Sequence, residues 1–332
     1  MKIAFVNNFF NAGGSTKTAY ALAQNFSKNH EMQFYGFFDG IYKERFESLG
    51  KTTLLSSTNF DYSDDLVEDI NAFDPDIVHI FIPGAQNPSY FSKLPNASKK
   101  FVTVLCEQKI LFDSFIFDKI FFQSKYGERY TGPVSNGVVI RPGYDYNFLE
   151  KAQSKEPVLA RVSAFCPSKM IDHTVLACAR HKHLKTNVVG EIQDINYYKK
   201  ILDMKSVLDL KNLKIQANVN DQIVEDTINN CDIWHYPTSS EVFCFSVLEA
   251  MAAKKPVISY KKDAVCELFD SDEWLADNME DMFEKTSRMI KTSSEERTKI
   301  GRKNYLMYLK HGADLFADKI MAEYLKVSNQ SN

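Results

Sequence analysis

Two glutamates, Glu241 and Glu249, stand eight positions apart on either side of the apolar segment VFCFSVL. Carboxylates accept hydrogen bonds, so a pair of them near one turn suits the recognition of a ligand rich in hydroxyl groups. The run DIWHYP (232–237) is typical of a buried strand, and the Ala-rich run after Phe245 is typical of a helix. The segment therefore predicts a strand, a loop and a helix, with the two carboxylates flanking the turn.

The position of this turn indicates what it binds. In an open α/β sheet, ligands bind beyond the carboxyl ends of the strands. A helix that begins near Phe245 or Ser246 directs backbone N–H groups and its positive dipole end at that crevice, which suits a phosphate. Glu249 leans towards the helix N-terminus and reaches a sugar hydroxyl beside the phosphate. We expect Glu241 to face the same crevice, and the apolar turn to bind through its backbone.

The remaining sequence predicts the sheets that position this turn. The chain opens with the strand KIAFVNN, a turn at Gly13-Gly14, a helix that Ser15 or Thr16 caps, and the strand MQFYGFF. This order is a Rossmann-like β–loop–α–β unit. Further strands are predicted at 76–82, 101–107, 118–123 and 137–145.

A second α/β series follows the polar stretch 151–157, which we interpret as a linker. Its predicted strands are 157–165, 187–191, 213–219, 232–237 and 256–260, and a helical tail is predicted over about 294–325. The alternation predicts an α/β fold with two doubly wound Rossmann-like domains, at 1–150 and 156–311. Trp234 and Tyr236 alternate on their strand and are assigned to packing, while His79, within the strand DIVHIFI, is assigned to the core or near the site.

Composition excludes several classes of protein. The chain has 332 residues and a net charge of −3, without the basic excess of a general nucleic-acid binder. No run of 18 apolar residues predicts a membrane span, and the apolar start IAFV is too short for a signal peptide. None of the six cysteines has metal-like or redox-motif spacing, so we expect reduced thiols and a cytoplasmic location.

The segment EVFCFSVLEAMAAKKPVI resembles the E-x7-E region of GT-B glycosyltransferases, especially the retaining family 4. The usual pattern there is close to E-G-F-G-x-x-x-x-E-A-M-A-x-G-x-P-V-I. Other segments agree in order and spacing: Gly13-Gly14, PDIVHI, FQSKYGERY, RPGYD, FCPSKMIDHTVLAC and NDQIVEDTINNCDIWHYPTSSE. The resemblance implies two domains facing across a cleft, with the acceptor on the first domain and the donor on the second. It also implies that a helix at about 312–332 returns to the first domain.

The resemblance implies a role for each matching position. Glu249 would bind the ribose of a sugar nucleotide, and Glu241 would contact the transferred sugar. Lys169 would supply a cation to the diphosphate, which stabilises the leaving group. The remaining implied donor-site positions are the backbone of Phe243, Cys244, Phe245 and Ser246 at the diphosphate, the loop of Gly13, Gly14 and Ser15 at the sugar or leaving phosphate, and Val219 near the base.

This chain departs from the family pattern at three places. Ser163-Ala164 stands where the family has Gly-Arg, and Arg161 has the opposite strand parity, so it is not expected to replace that arginine. Val242 and Cys244 replace the two glycines of E-G-F-G. The family often has a histidine after the strand FVTVL, where this chain has Cys106-Glu107, which makes Glu107 a candidate catalytic residue.

No metal or cofactor is expected. Asp74-Pro75-Asp76 resembles a metal-binding DxD motif but precedes a strand, which favours a turn. His181-Lys182-His183 has no third ligand nearby, which favours a basic helix end.

The leading hypothesis is a retaining, metal-independent glycosyltransferase with a nucleoside-diphosphate sugar, UDP-sugar favoured, as co-substrate. Its acceptor would be a cell-envelope glycan or a lipid-linked sugar in a bacterial cell. One alternative is a phage-type enzyme that glycosylates hydroxymethylcytosine in the DNA of an infected cell. The basic residues available to it are Lys17, Lys43, Arg45, Lys109 and Arg129. Another alternative, motivated by the missing Gly-Arg pair, is a non-catalytic GT-B protein that binds a nucleotide.

Overall fold

The structure is a computed structural model that describes residues 1–11, 13–55, 64–82, 95–97, 99–107, 109–110, 113–132 and 134–329. The chain divides into two units: unit 1 is Met1–Asp145 with His311–Asn332, and unit 2 is Tyr146–Lys310. The sequence places this boundary within residues 150–156, whereas the chain passes from unit 1 to unit 2 between Asp145 and Tyr146.

The described strands are β1 (Lys2–Phe9), β2 (Glu31–Phe38), β3 (Lys51–Leu54), β4 (Ile77–Ile82), β5 (Lys99–Val104), β6 (Lys119–Phe122), β7 (Gly137–Val139), β8 (Leu159–Val162), β9 (Thr186–Gly190), β10 (Leu213–Ala217), β11 (Ile233–Tyr236), β12 (Val257–Tyr260) and β13 (Leu275–Ala276). The described helices are α1 (Gly14–Phe26), α2 (Lys43–Glu47), α3 (Asp64–Phe73), α4 (Lys125–Thr131), α5 (Ile171–Arg180), α6 (Ile195–Val207), α7 (Asp221–Asn230), α8 (Phe245–Ala252), α9 (Met279–Lys291), α10 (Ser294–Tyr308) and α11 (Ala313–Asn329).

Unit 1 is built on a parallel sheet with the order β3-β2-β1-β4-β5-β6-β7. Its central strand β1 is buried on both faces, because helices cover both sides of a parallel sheet. Side chains alternate between the faces, so Phe5 packs in one apolar cluster while Ala4 and Val6 pack in the other. This burial explains why the predicted strands are almost continuously apolar.

The C-terminal helix α11 belongs to unit 1. Phe316, Ile320 and Tyr324 pack in the same cluster as Phe5 and the apolar face of α1. Buried His79 of β4 fixes the helix further, since its Nδ1 lies 2.5 Å from the Tyr324 hydroxyl. The helix prediction of about 312–332 compares with Ala313–Asn329, and residues 330–332 lie outside the described residues.

The chain returns to unit 1 through a close backbone approach. Tyr144 N–H donates to the carbonyl of His311 at 3.0 Å, and Asp145 Oδ1 accepts from Ala313 N–H at 2.9 Å. A Cβ on Gly143 would lie 2.3 Å from the Gly312 carbonyl oxygen, so the approach requires glycine. The helical tail predicted over 294–325 corresponds to two helices, α10 and α11, because the chain turns here.

Unit 2 is built on a second parallel sheet, with the order β10-β9-β8-β11-β12-β13. This is the strand order of a Rossmann fold, in which the chain reverses its direction of travel between β8 and β11. The predicted fold class of two doubly wound Rossmann-like domains is confirmed. The loops after β8 and β11 leave the sheet side by side, where a doubly wound sheet binds ligands.

Candidate functional site

The loops after β8 and β11 bring together residues that are 72 positions apart in the chain. Lys169 lies in the loop after β8, two residues before α5, and its Nζ donates to Glu241 Oε1 at 2.6 Å. The Lys169 side chain is 23% exposed and that of Glu241 is 9% exposed. Burial lowers the pKa of Lys169, but the charge and hydrogen bond of Glu241 outweigh it and raise that pKa above its usual value. Lys169 is therefore a protonated, partly exposed cation that pairs with Glu241.

Glu241 is held by more than this ion pair. Its Oε1 also accepts from the Tyr236 hydroxyl at 2.9 Å, and Thr238 Oγ1 lies 3.4 Å from the same oxygen. Tyr236 is buried, which raises the pKa of its phenol well above 10 and keeps it a donor. The sequence analysis assigned Tyr236 to packing, and its contact with the carboxylate is a correction. The alternation of aromatic residues on β11 gave no signal for this hydrogen bond.

The two loops are also tied through their backbones. The carbonyl of Ser168 accepts from Ser239 N–H at 2.9 Å and from Thr238 Oγ1 at 3.2 Å. Ser246 Oγ, at the start of α8, donates to the Val162 carbonyl at the end of β8 at 2.6 Å. These bonds fix the segment that carries Lys169 against the segment that carries Glu241.

Arg161 lies beneath both loops and is fully buried. Its Nη1 donates to the Pro237 carbonyl at 2.7 Å, its Nε donates to Ser163 Oγ at 2.8 Å, and its Nη2 donates to the Lys169 carbonyl. The guanidinium also stacks on the Tyr236 ring, with Cζ 4.7 Å from the ring centroid. The sequence analysis predicted no site role for Arg161.

The apolar turn leads into α8 as predicted, with Cys244 at the N-cap and Phe245 as the first helical residue. No side-chain hydrogen bond caps this helix, and its first turn contains no acidic residue. Cys244 has φ −104° and ψ 83°, a conformation that does not require glycine. The side chains of Phe243 and Phe245 are buried against each other, with centroids 4.9 Å apart. The start of the helix therefore presents backbone N–H groups and a positive dipole end.

Glu249 lies in the body of α8 and is only 5% exposed. It is one turn beyond the N-terminal residue Phe245, on a helix whose start adjoins Glu241. A carboxylate this deeply buried is costly unless hydrogen-bond donors or a ligand satisfy it.

Val219 lies elsewhere on the same sheet. It follows β10, the first strand of the sheet order, and is half-buried. The preceding Asn218 has φ 51°, and its Oδ1 accepts from Ile192 N–H at 2.9 Å. This bond links the loop after β10 to the loop after β9.

The other predicted site residues belong to unit 1. Gly13 is the N-cap of α1, and Gly14 and Ser15 are its first two residues. The predicted capping by Ser15 or Thr16 is wrong, because Gly13 occupies the N-cap and the Thr16 hydroxyl donates to the Phe9 carbonyl at 3.0 Å. A Cβ on Gly13 would lie 3.0 Å from Asn11 Oδ1, so this turn is tightly packed.

Glu107 follows β5 in unit 1 and is half-buried. Burial, and then the charge of Glu107, raise the pKa of the Cys106 thiol to about 12, so that thiol stays protonated. His79 is sealed in the core: Nδ1 contacts the Tyr324 hydroxyl and Nε2 lies 2.6 Å from Thr103 Oγ1. His79 is therefore a structural residue.

Among the described residues, no group of three or more histidine, cysteine, aspartate or glutamate side chains has the geometry to hold a metal ion. In the same part of the chain, no helix combines the length and apolar character needed to cross a membrane.

Residues 146–307 match the family model for Glycosyl transferases group 1, which covers nearly all of unit 2. No protein with a curated description matches the chain. Several solved structures are similar over almost the whole length. Anabaena Alr3699/HepE in complex with UDP and glucose has a TM-score of 0.80 at 16% identity, covering 98% of this chain and 99% of that chain.

Two further structures support the same fold. A glycosyltransferase from Rickettsia africae ESF-5 has a TM-score of 0.78 at 17% identity, covering 98% of each chain. S. aureus TarM, in a complex with fondaparinux, alpha-GlcNAc-glycerol and UDP, has a TM-score of 0.76 at 12% identity, covering 98% of this chain and 99% of that chain. Unit 2 thus matches the group 1 glycosyltransferase family over residues 146–307, and the chain as a whole has the GT-B fold of these solved structures.

Proposed function

We propose that this protein transfers a sugar from a nucleoside-diphosphate sugar, with a UDP-sugar favoured, to a hydroxyl acceptor, with retention of anomeric configuration and without a metal ion. The observation that carries the proposal is the Lys169–Glu241 pair beside the N-terminus of α8. It combines a cation, a hydrogen-bond acceptor and a helix N-terminus at one switch point. These are the groups that a diphosphate joined to a sugar requires.

In this proposal the donor diphosphate lies against the start of α8, at the backbone of Phe243, Cys244, Phe245 and Ser246. Lys169 turns from Glu241 to the diphosphate and stabilises the negative charge that grows as the glycosidic bond breaks. Glu241 then accepts from hydroxyls of the transferred sugar, and Glu249 accepts from the ribose. The acceptor oxygen forms the new bond to the sugar and loses its proton, while the nucleoside diphosphate leaves with the bonding electrons.

The remaining assignments rest on the family pattern. Gly13, Gly14 and Ser15 form a loop that approaches the sugar or leaving phosphate, Val219 lies near the base, and Glu107 acts on the sugar. The UDP preference is supported by the structures of Anabaena Alr3699/HepE and S. aureus TarM, which contain UDP. A glycan acceptor is supported by the fondaparinux and alpha-GlcNAc-glycerol in the TarM complex, and a lipid-linked acceptor rests on the family pattern alone.

The test is thermal denaturation with a panel of UDP-, GDP- and ADP-sugars, with NAD as a control for general nucleotide binding. A donor present at a hundred times its dissociation constant adds about 2.7 kcal/mol, which raises the Tm by several degrees. Any donor that binds is then incubated with simple glycans, a lipid-linked sugar and hydroxymethylated duplex DNA, and nucleotide release is measured with and without EDTA.

We expect a shift with a UDP-sugar, release that EDTA does not reduce, and a product of unchanged anomeric configuration by NMR. Release accelerated only by DNA, and lost steeply as salt rises, would support the DNA-modifying alternative instead. The Ser163-Ala164 replacement motivates the non-catalytic alternative, which predicts a Tm shift without release or transfer. If no sugar nucleotide shifts the Tm, the proposed function is wrong.

A further inference from the structure

Arg161 is a charged residue on a central strand of the unit 2 sheet and is 0% exposed. Burial of a charge in a protein core is costly unless hydrogen bonds compensate it. Burial lowers the pKa of Arg161 below its usual value, but an arginine in a protein stays protonated. The fold therefore retains a buried cation directly beneath the loops of the proposed donor site.

The hydrogen bonds of Arg161 go to both loops. Its two Nη groups donate to the carbonyl of Pro237, the first residue after β11, and to the carbonyl of Lys169, two residues before α5 begins. Its Nε donates to Ser163 Oγ, which follows β8 directly. The guanidinium is planar and rigid, so one side chain fixes the spacing between the two loops.

The contacts of Arg161 close into a ring around the site. Arg161 stacks on Tyr236, whose hydroxyl donates to Glu241 Oε1. The same oxygen accepts from Lys169 Nζ, and the Lys169 carbonyl accepts from Arg161. Displacement of one member of this ring changes the position of the next.

We propose that Arg161 is a positioning residue that holds Lys169 and Glu241 at the separation needed for the donor. The inference rests on the proposed function for its catalytic consequence. Arg161 does not bind the donor itself, because its guanidinium is closed off from solvent. It acts through the backbone of Lys169 and through the Tyr236 ring and hydroxyl.

Arg297 provides a matched control. It is another arginine of unit 2, 1% exposed, whose fork donates to Gln153 Oε1 at 3.2 Å and to the carbonyls of Ser154 and Thr292. Each of the substitutions Arg161→Lys and Arg297→Lys therefore replaces a buried guanidinium, which donates several hydrogen bonds, by a single ammonium group. Only Arg161 contacts the loops of the proposed site.

The first readout is hydrogen–deuterium exchange of the unliganded variants, which reports local opening. We expect Arg161→Lys to accelerate amide exchange at least tenfold in residues 163–170 and 237–244. Arg297→Lys should leave both segments unchanged. Equal exchange of these two loops in wild type and Arg161→Lys would overturn the inference, whether or not the protein is a transferase.

The second readout is kinetic, at a temperature where all variants are folded. A misplaced cation and carboxylate should lower kcat with the donor about 10- to 100-fold in Arg161→Lys, and Arg297→Lys should stay within about twofold of wild type. Because Arg161 acts in part through Lys169, Arg161→Lys should lower kcat by a smaller factor in the Lys169→Ala background than in wild type. Full multiplication of the two losses would contradict the inference.

A third variant preserves the test if Arg161→Lys does not fold. Tyr236→Phe keeps the ring that Arg161 stacks on and removes only the hydroxyl that holds Glu241. We expect a kcat loss of about 3- to 10-fold, again not additive with Lys169→Ala. Unchanged kcat in Tyr236→Phe would overturn the inference. If the loops loosen as expected but wild type neither binds nor turns over any sugar nucleotide, the proposed function fails and the positioning role remains.

Discussion

The two units bury polar networks of opposite kinds. In unit 1, His79 contacts the hydroxyls of Tyr324 and Thr103, and all three residues are buried. Burial lowers the pKa of His79 to about 3, so this network is neutral. In unit 2, buried Arg161 and Glu241 are charged, and the network ends at the partly exposed Lys169.

The comparison distinguishes a network that stabilises the fold of unit 1 from a network in unit 2 that we propose binds a ligand. A sealed neutral network satisfies polar groups in the core and attaches α11 to the sheet of unit 1. A charged network with one end at the surface keeps a cation and an anion ready to exchange partners with a ligand. Two sheets of the same Rossmann-like type thus carry a stabilising polar network in unit 1 and a proposed binding site in unit 2.

The largest expected effect is from Lys169→Ala, which removes the cation of the unit 2 network. Loss of a group that stabilises developing charge costs about 10²- to 10³-fold in kcat. The measurement is nucleotide release under saturating donor, with Lys169→Arg as the control that restores the charge. A kcat loss below threefold in Lys169→Ala would show that the network in unit 2, like the one in unit 1, has no catalytic role.

Glu249→Gln should have the next largest effect. A hydrogen bond to a charged group contributes about 1.5–3 kcal/mol, so donor KM should rise about 10- to 100-fold. The control is Glu280→Gln on α9, because exposed Glu280 pairs with exposed Arg180 and such pairs contribute little. A donor KM equal to that of wild type would show that Glu249 is not a donor ligand.

The buried histidines predict a pH dependence of stability. Burial lowers the pKa of His79 and of His235, which lies in unit 2, to about 3. Between pH 6.5 and pH 3 the unfolded chain therefore binds more protons than the folded chain, and stability falls as pH falls. Each histidine contributes a loss of up to about 1.4 kcal/mol per pH unit, or about 2 kcal/mol between pH 6.5 and pH 5.

Urea denaturation at pH 7 and pH 5 measures this loss. Both tryptophans, Trp234 and Trp274, lie in unit 2, so their fluorescence follows that unit, while far-UV circular dichroism follows both. An unfolding free energy that is the same at both pH values would contradict the neutral burial of these histidines.

The smallest effect is expected from Tyr324→Phe. It leaves His79 Nδ1 without the hydroxyl partner and should cost about 1–3 kcal/mol of unit 1 stability. Tyr130→Phe, at an exposed tyrosine of the same unit, should stay within about 0.5 kcal/mol. Since neither residue is one of the proposed site residues, kcat measured on the folded protein should not change. A kcat loss in Tyr324→Phe without loss of stability would contradict the structural role.

The sequence analysis predicted the apolar strands well because a strand that is buried on both faces consists almost entirely of apolar residues. The strands at 76–82 and 232–237 correspond to β4 and β11. It missed β3, whose residues KTTL are mostly polar, since an edge strand is only partly buried. The helical tail predicted over 294–325 corresponds to α10 and α11, but helical periodicity does not show that these two helices belong to different units.

The sequence by itself determined the alternation of strands and helices, the E-x7-E segment and the types of residue at the turn before α8. Only the tertiary structure decided that Lys169 and Glu241 form a hydrogen-bonded ion pair and that Arg161 donates hydrogen bonds to both of their loops. Strand parity correctly separates the faces of a sheet, but it does not reveal which carbonyls of distant loops lie within reach of a side chain. Those distances follow from the pairing of β8 with β11, which joins segments more than 70 residues apart.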